Sequence, residues 1–277
     1  MKLSLSVRIA ESFFDKTKTS VPFEDLVALA AESDYHAVCM RASVAGVQSS
    51  TERITEVRRQ LDEAGLPVSM VTGDFAIPEN KEAGPSALRN ITPYLDLADA
   101  LSTDLLRVSM KTEEDVPHGQ RSADEAAERG MRLAHQSHWA SPFETIDGSV
   151  ETLRRIGRPN FGIIYEPANL EACGEPYGLQ ALEAFKPYLF NVYIQNQLAH
   201  PKGETELRTW TRGPFRFDHI PLDDPRGIDW REVIDALLAV GYDGHVTIHQ
   251  ALAEIMEPSE AARRSAEYLR TLHPFDG

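Results

Sequence analysis

The sequence predicts an α/β protein: one closed (β/α)8 barrel of the TIM type, a single domain over residues 1–277. Three observations carry that expectation. Short apolar runs with strand-like twofold alternation recur eight times, and stretches of helical period separate them. A chain of 277 residues is long enough for eight strand–helix units. No obvious linker interrupts the pattern, and no Gly-rich phosphate fingerprint follows the first strand, as an open doubly wound sheet for dinucleotides would carry.

Lys2 to Arg8 alternates as the first strand, with Leu3, Leu5 and Val7 on one face and Ser4, Ser6 and Arg8 on the other. Pro22 opens a helix whose apolar residues fall at helical spacing. His36 to Arg41 is a short buried strand, and the helix from Thr51 stops at Gly65. Leu66 to Thr72 is the third strand. A helical stretch from Pro85 to Ala100 should be kinked or divided at Pro93. Leu105 to Met110 is the fourth strand, and Ser122 to Arg129 a short helix ending at Gly130.

Met131 to Leu170 then runs strand, loop, helix, loop, strand, with polar residues at both strand ends. Ser141-Pro142-Phe143-Glu144 has the pattern of a capping box with Pro at the first helical position. Gly178 to Tyr188 is a further helix and Phe190 to Asn196 the seventh strand, with Asn191, Tyr193 and Gln195 on one face. The polar stretch from Gln197 to Gly227 reads as a long loop, a length more usual in functional loops. Asp229 caps the next helix, Gly241-Tyr242-Asp243-Gly244 leads into the eighth strand, and Pro258 opens the last helix.

A net charge of −15 argues against nucleic-acid backbones and anionic membranes as partners, although a few arginines focused in one pocket could still take an anionic small molecule. The N-terminus is too polar for a signal peptide, and no apolar run approaches the roughly 20 residues of a membrane span, so a cytoplasmic protein is expected. Cys39 and Cys173 lie in no CxxC arrangement, and a disulfide between them is not expected. A homo-oligomer is compatible with everything in the sequence.

In a barrel the C-terminal strand ends converge on one pocket. Gln136 and His138, Glu166, Tyr193 and Gln195, and His249 come from strands five to eight, and Arg8, Arg41, Arg107 and Lys111 from the first four. A carboxylate, imidazoles and amide oxygens could hold a divalent metal. The same residues equally make a hydrogen-bonded barrel mouth without one.

GMRLAHQSH, IGRPNFGIIYEPANL, FNVYIQNQ and the closing IPLDDPRGIDWREVIDALLAVGYDGHVTIHQ resemble the xylose-isomerase-like TIM-barrel superfamily of sugar phosphate isomerases and epimerases over nearly the whole chain. The GRPN and GYDG segments are the most specific points. The resemblance implies a metal held by Glu, Asp, His and Glu from strands five to eight, with the two glutamates shuttling a proton through an enediolate. Here these positions fall on Gln136, Glu166, Tyr193 (with Gln195 two residues on) and His249, so one carboxylate of the set remains.

Gln136 cannot carry a proton near neutral pH, which removes the paired-glutamate shuttle. The resemblance therefore implies an altered metal set of Gln136, Glu166, Gln195 and His249, better suited to Mn2+ or Zn2+ than to Mg2+. It implies His138, His249 and Glu166 as catalytic groups, and Asn169, Arg8, Arg107, Trp139 and Tyr193 as groups that bind a small carbohydrate substrate. The expected activity is metal-assisted proton transfer beside a carbonyl, as in a sugar isomerase or epimerase. The alternatives are a metal-dependent lyase or dehydratase on a keto-sugar, and a non-catalytic relative that binds a carbohydrate or a protein.

Overall fold

Eight parallel strands close into a barrel in the order β1-β11-β7-β6-β5-β4-β3-β2, and helices pack around it. The computed structural model describes residues 1–276. The barrel strands are β1 (Lys2–Ser6), β2 (Ala37–Arg41), β3 (Val68–Thr72), β4 (Leu105–Val108), β5 (Arg132–Gln136), β6 (Phe161–Tyr165), β7 (Leu189–Ile194) and β11 (His245–Ile248). The expected (β/α)8 architecture is thus the observed one. No helix among the described residues is long and apolar enough to cross a membrane.

Strand alternation sorts the core into two parts. One face of each strand packs against the helices, as Leu3, Leu5, Ile163 and Val246 do. The other face fills the barrel, where Cys39, Met70, Leu105, Ala134, Ile164 and Tyr193 form a separate small cluster. Cys39 and Cys173 are both free and buried.

Four local readings are corrected. First, Gln197 to Gly227 is not an unstructured loop: β8 (Gln197–Ala199), β9 (Thr205–Thr209) and β10 (Gly213–His219) pair antiparallel in the order β8-β10-β9. The strands are short and mostly polar, so no apolar alternation announces them. Second, Ser141–Glu144 does not cap the helix α6 (Ile146–Ile156); Thr145 does, its hydroxyl accepting from the Gly148 amide. Third, the first strand ends at Ser6, and Val7–Ala10 turns as a short 3₁₀ segment capped by the Ser6 hydroxyl. Fourth, the stretch from Pro85 to Ala100 is divided as expected, but not at Pro93 itself. The chain breaks at Asn90–Ile91 instead, and Pro93 sits in the first turn of the helix Thr92–Ala100, where its missing N–H costs nothing.

Candidate active site

Moving two residues along each strand from the barrel-filling cluster gives the next layer of side chains on the same face. Cys39 leads to Arg41, Leu105 to Arg107, Ala134 to Gln136, Ile164 to Glu166, and Tyr193 to Gln195. The apolar layer seals the barrel, and the layer above it is almost wholly polar. It forms the floor of a cavity of about 260 Å³ at the C-terminal ends of the strands. Phe13 and Lys16 from the loop after β1, and Pro78 and Asn80 from the loop after β3, make its walls. Leu207 of β9 and Phe217 of β10 also line it, so the small antiparallel sheet covers the mouth.

Glu144 holds that cover in place. It is buried, and its carboxylate accepts from the Trp210 and Thr211 amides at 2.9 and 2.7 Å and from the Thr211 hydroxyl at 2.7 Å. It also accepts from the Ala140 amide at 2.7 Å, which ties the β9–β10 turn to the loop bearing His138 and Trp139.

Positive charge dominates the floor. Arg41 gives Glu11 its Nε at 2.8 Å and its Nη2 at 2.7 Å, both groups buried. Arg8 donates to the Ser12 carbonyl at 2.7 Å and stands 3.6 Å from the same Glu11 carboxylate. Burial and the neighbouring Arg41 pull the Arg8 pKa down to about 10. Lys16 donates to the Pro78 carbonyl at 2.8 Å, and burial together with the three arginines lowers its pKa to about 7. Arg107 is only 4% exposed and lies 5.8 Å from the centre of the Tyr193 ring. It has no hydrogen bond or ion pair among the described residues, and its Nε is buried without a partner.

The imidazoles are neutral. Burial and then Arg107 hold His138 well below the usual histidine range, and burial with Arg41 and Arg107 does the same to His249. His138 Nδ1 lies 2.9 Å from the Trp139 carbonyl oxygen, which can only accept, so Nδ1 carries the proton and Nε2 keeps a lone pair. His249 rests its Nδ1 on the Ser6 hydroxyl and stacks on Tyr193 with ring centres 3.9 Å apart. Glu166 is fully buried, and burial pushes its pKa up to about 8 against the opposing pull of Arg107 and the Gln195 hydrogen bond. Its two oxygens accept from Gln195 Nε2 at 2.5 Å and Asn169 Nδ2 at 3.0 Å.

Of the residues picked from sequence, Arg8, Arg107, Gln136, His138, Trp139, Asn169, Gln195 and His249 line the cavity. Glu166 lies behind the Gln195 and Asn169 amides. Tyr193 does not line the cavity: it sits one layer down, its hydroxyl 3.4 Å from the Cys39 sulfur. Lys111 points to the Ala140 carbonyl outside the cavity. Arg41 ends its strand as expected. Lys16, Phe13 and Phe217 were missed, because they come from irregular or polar segments with no periodicity to follow.

A family model described as xylose isomerase-like TIM barrel matches residues 27–272. The chain is a member of the xylose isomerase-like TIM barrel family. Among solved members of this fold, the probable 3-DHS dehydratase AsbF of Bacillus anthracis has a TM-score of 0.73 and 15% identity over 98% of this chain and 99% of that one. A xylose isomerase-like TIM barrel protein of Mycobacterium smegmatis, in complex with magnesium, scores 0.70 at 15% identity over 98% and 96%. The D-allulose 3-epimerase of Methylomonas sp. scores 0.68 at 14% identity over 98% of each chain. At such identities these likenesses show the fold. No curated protein sequence matches the chain.

Divalent metals are common in the xylose isomerase-like family, but the residues here do not fit one. Among the described residues no group of three or more His, Cys, Asp or Glu side chains is placed to hold a metal ion. In the expected set, Gln195 turns its NH2, which has no lone pair to offer a metal, toward Glu166. At the floor, Arg8, Arg41 and Arg107 have one charged carboxylate, Glu11, with Glu166 neutral below about 8, while the carboxylates higher on the cavity wall, Glu79 and Glu206, are paired with Lys81 and Arg216. The floor, where a cation would have to sit, therefore carries two more positive charges than negative ones. The expectation of Mn2+ or Zn2+ held by Gln136, Glu166, Gln195 and His249 is therefore set aside, and no chemical step is routed through a metal.

Proposed function

We propose that the protein is an enzyme of proton transfer beside a carbonyl, an isomerase or epimerase acting on a polyhydroxylated, sugar-derived carbonyl compound. One observation carries this reading. His138 is a neutral imidazole whose tautomer is fixed by the Trp139 carbonyl, which leaves the Nε2 lone pair on a residue that lines a cavity rich in guanidinium groups. A base of that kind removes the proton from the carbon next to a carbonyl, and the bonding pair moves onto the carbonyl oxygen as an enolate. Preorganised positive charge from Arg107 and Arg41 stabilises that oxygen where a metal does so in relatives. In an isomerisation the proton of the α-hydroxyl passes to that oxygen, the α-carbon becomes the new carbonyl, and the imidazolium returns its proton to the former carbonyl carbon. Epimerisation needs a donor on the opposite face, and His249, the other imidazole of the cavity wall, would serve there only after taking up a proton. The Gln195 and Asn169 amides, oriented by Glu166, bind hydroxyls. If the enolate expels a β-hydroxyl instead, the same machinery is that of a dehydratase, and the product tells the two apart.

The test is deuterium incorporation from D2O, followed by NMR with D-fructose, D-fructose 6-phosphate and 2-keto-D-gluconate. Wild type is expected to exchange the C–H beside the carbonyl of at least one, and His138→Gln to slow this by roughly 100-fold or more. No exchange into any of the three would overturn the reading in favour of a non-catalytic binding protein, and undiminished exchange in His138→Gln would remove His138 as the base.

A further inference from the structure

We infer that the barrel mouth is an oxyanion-binding site centred on Arg107, so that the compound it takes carries a carboxylate or a phosphate. This deepens the proton-transfer reading by naming the substrate class of the same cavity, and it rests on that reading only in treating the cavity as a substrate site.

The chain treats its buried cations unequally. A charge removed from water is costly unless it is paired and hydrogen-bonded. Arg41, 1% exposed, is gripped by Glu11 through Nε and Nη2. Arg8 has the Ser12 carbonyl and the same carboxylate. Arg107, 4% exposed, is given neither. The one other carboxylate close by, Glu166, is turned to Gln195 and Asn169. The planar fork of Arg107 is thus desolvated, fixed over Tyr193 and left open toward the cavity, which is the geometry that takes a planar or tetrahedral oxyanion through paired N–H donors.

Further unused groups surround it. Arg41 Nη1 is buried with no partner, and Gln136 Oε1 is buried with none. Both residues line the same cavity, as does Lys16. An anion bound to Arg107 would satisfy the first, and a hydroxyl carried on that anion would satisfy the second by donating to it. The partners missing from this site are therefore one oxyanion and one hydroxyl donor, and a hydroxylated acid or a sugar phosphate supplies both.

Calorimetric titration of the full chain with D-fructose, D-fructose 6-phosphate and 2-keto-D-gluconate, in a buffer free of phosphate and carboxylate, tests this. Wild type is expected to bind at least one of the two anions tenfold or more tightly than D-fructose, and whichever binds identifies the anionic group. Arg107→Met should weaken that anion by roughly 10- to 100-fold, the range of a charge-assisted pair, and weaken D-fructose by much less, so that the preference for the anion is lost. Arg107→Lys, which keeps the charge and loses the fork, should recover part of the loss, and it serves alone if the methionine variant does not fold. Anion binding no tighter than D-fructose, or undiminished in Arg107→Met, overturns the inference. So does stoichiometric Mn2+ that is lost in Glu166→Ala, since a cation would then occupy the place assigned to the anion. Arg107-dependent anion binding without deuterium exchange would leave this site standing and sink the proton-transfer reading. Exchange into D-fructose as fast as into either anion would do the reverse.

Discussion

Replacing Arg107 with Met should make the ligand-free protein more stable while impairing ligand binding. The side chain is 4% exposed and has no hydrogen bond or ion pair among the described residues, so folding takes a guanidinium out of water with no anion to meet it. Replacing buried ionic groups by apolar ones of similar volume stabilises by about 1–4 kcal/mol in known cases. Loss of the contact with the Tyr193 ring, 5.8 Å away, offsets part of that gain, since a desolvated cation–π pair contributes about 2 kcal/mol. At the upper end of that range a net gain of up to about 2 kcal/mol remains. Unfolding entropy of about 2.1 cal/mol/K per residue makes 1 kcal/mol worth roughly 2 °C in a chain of 277 residues, so the Tm should rise by up to about 4 °C. Differential scanning calorimetry in buffer free of phosphate and carboxylate reads this directly. Arg41→Met is the control with the opposite sign, because it strands Glu11 as a buried unpaired carboxylate and should cost about 3–5 kcal/mol. A Tm that falls in Arg107→Met as it does in Arg41→Met would refute the reasoning, for Arg107 would then be a structural cation.

The pH dependence of stability should be set from both sides of neutrality. Glu166 has a folded pKa of about 8, raised by burial above its unfolded value, so the folded state binds more protons and stability falls as pH rises from about 4.5 to 8. Glu166→Gln should flatten that side of a Tm-against-pH curve, and an unchanged slope would show that Glu166 is already ionised when folded. His138 and His249 are held well below their unfolded range, so their contribution is full above pH 6.5 and is lost as pH falls. Glu144→Ala leaves the Ala140, Trp210 and Thr211 amides without their acceptor and should cost about 2–4 kcal/mol. Hydrogen exchange should then quicken at 209–213 ahead of the barrel strands; equal protection there would mean that other contacts hold the cover down.

The barrel was legible because its signals are local and repeated. Each strand states its two faces by alternation, and the GRPN and GYDG turns mark where strands begin. The strand-end residues were legible for the same reason, since Arg41, Arg107, Gln136, Glu166 and Gln195 each lie two residues beyond a barrel-filling side chain. What failed depends on partners distant in sequence. Glu144 reads as a helix-capping residue until Trp210 and Thr211 are seen to fold back onto it. Tyr193 reads as a ligand position until its ring is found one layer down, beneath His249. Lys16 sits in a loop with no periodicity, and its proximity to three arginines exists only in the folded chain.

The same distinction explains how a chain of net charge −15 presents a cationic site. Composition governs the far field, and the far field is weak. Two charges 20 Å apart in water interact by about 0.2 kcal/mol before salt screens them further, over a Debye length of about 10 Å at 0.1 M. At 4 Å and an effective dielectric of about 20 the interaction is about 4 kcal/mol. A surface rich in Asp and Glu therefore discourages polyanions, which must lie along it, and has little say in a cavity of about 260 Å³ walled by its own arginines. Those arginines also act on the imidazoles: they help keep His138 and His249 unprotonated, so the charge that receives an anion is the charge that leaves a base free to act on it.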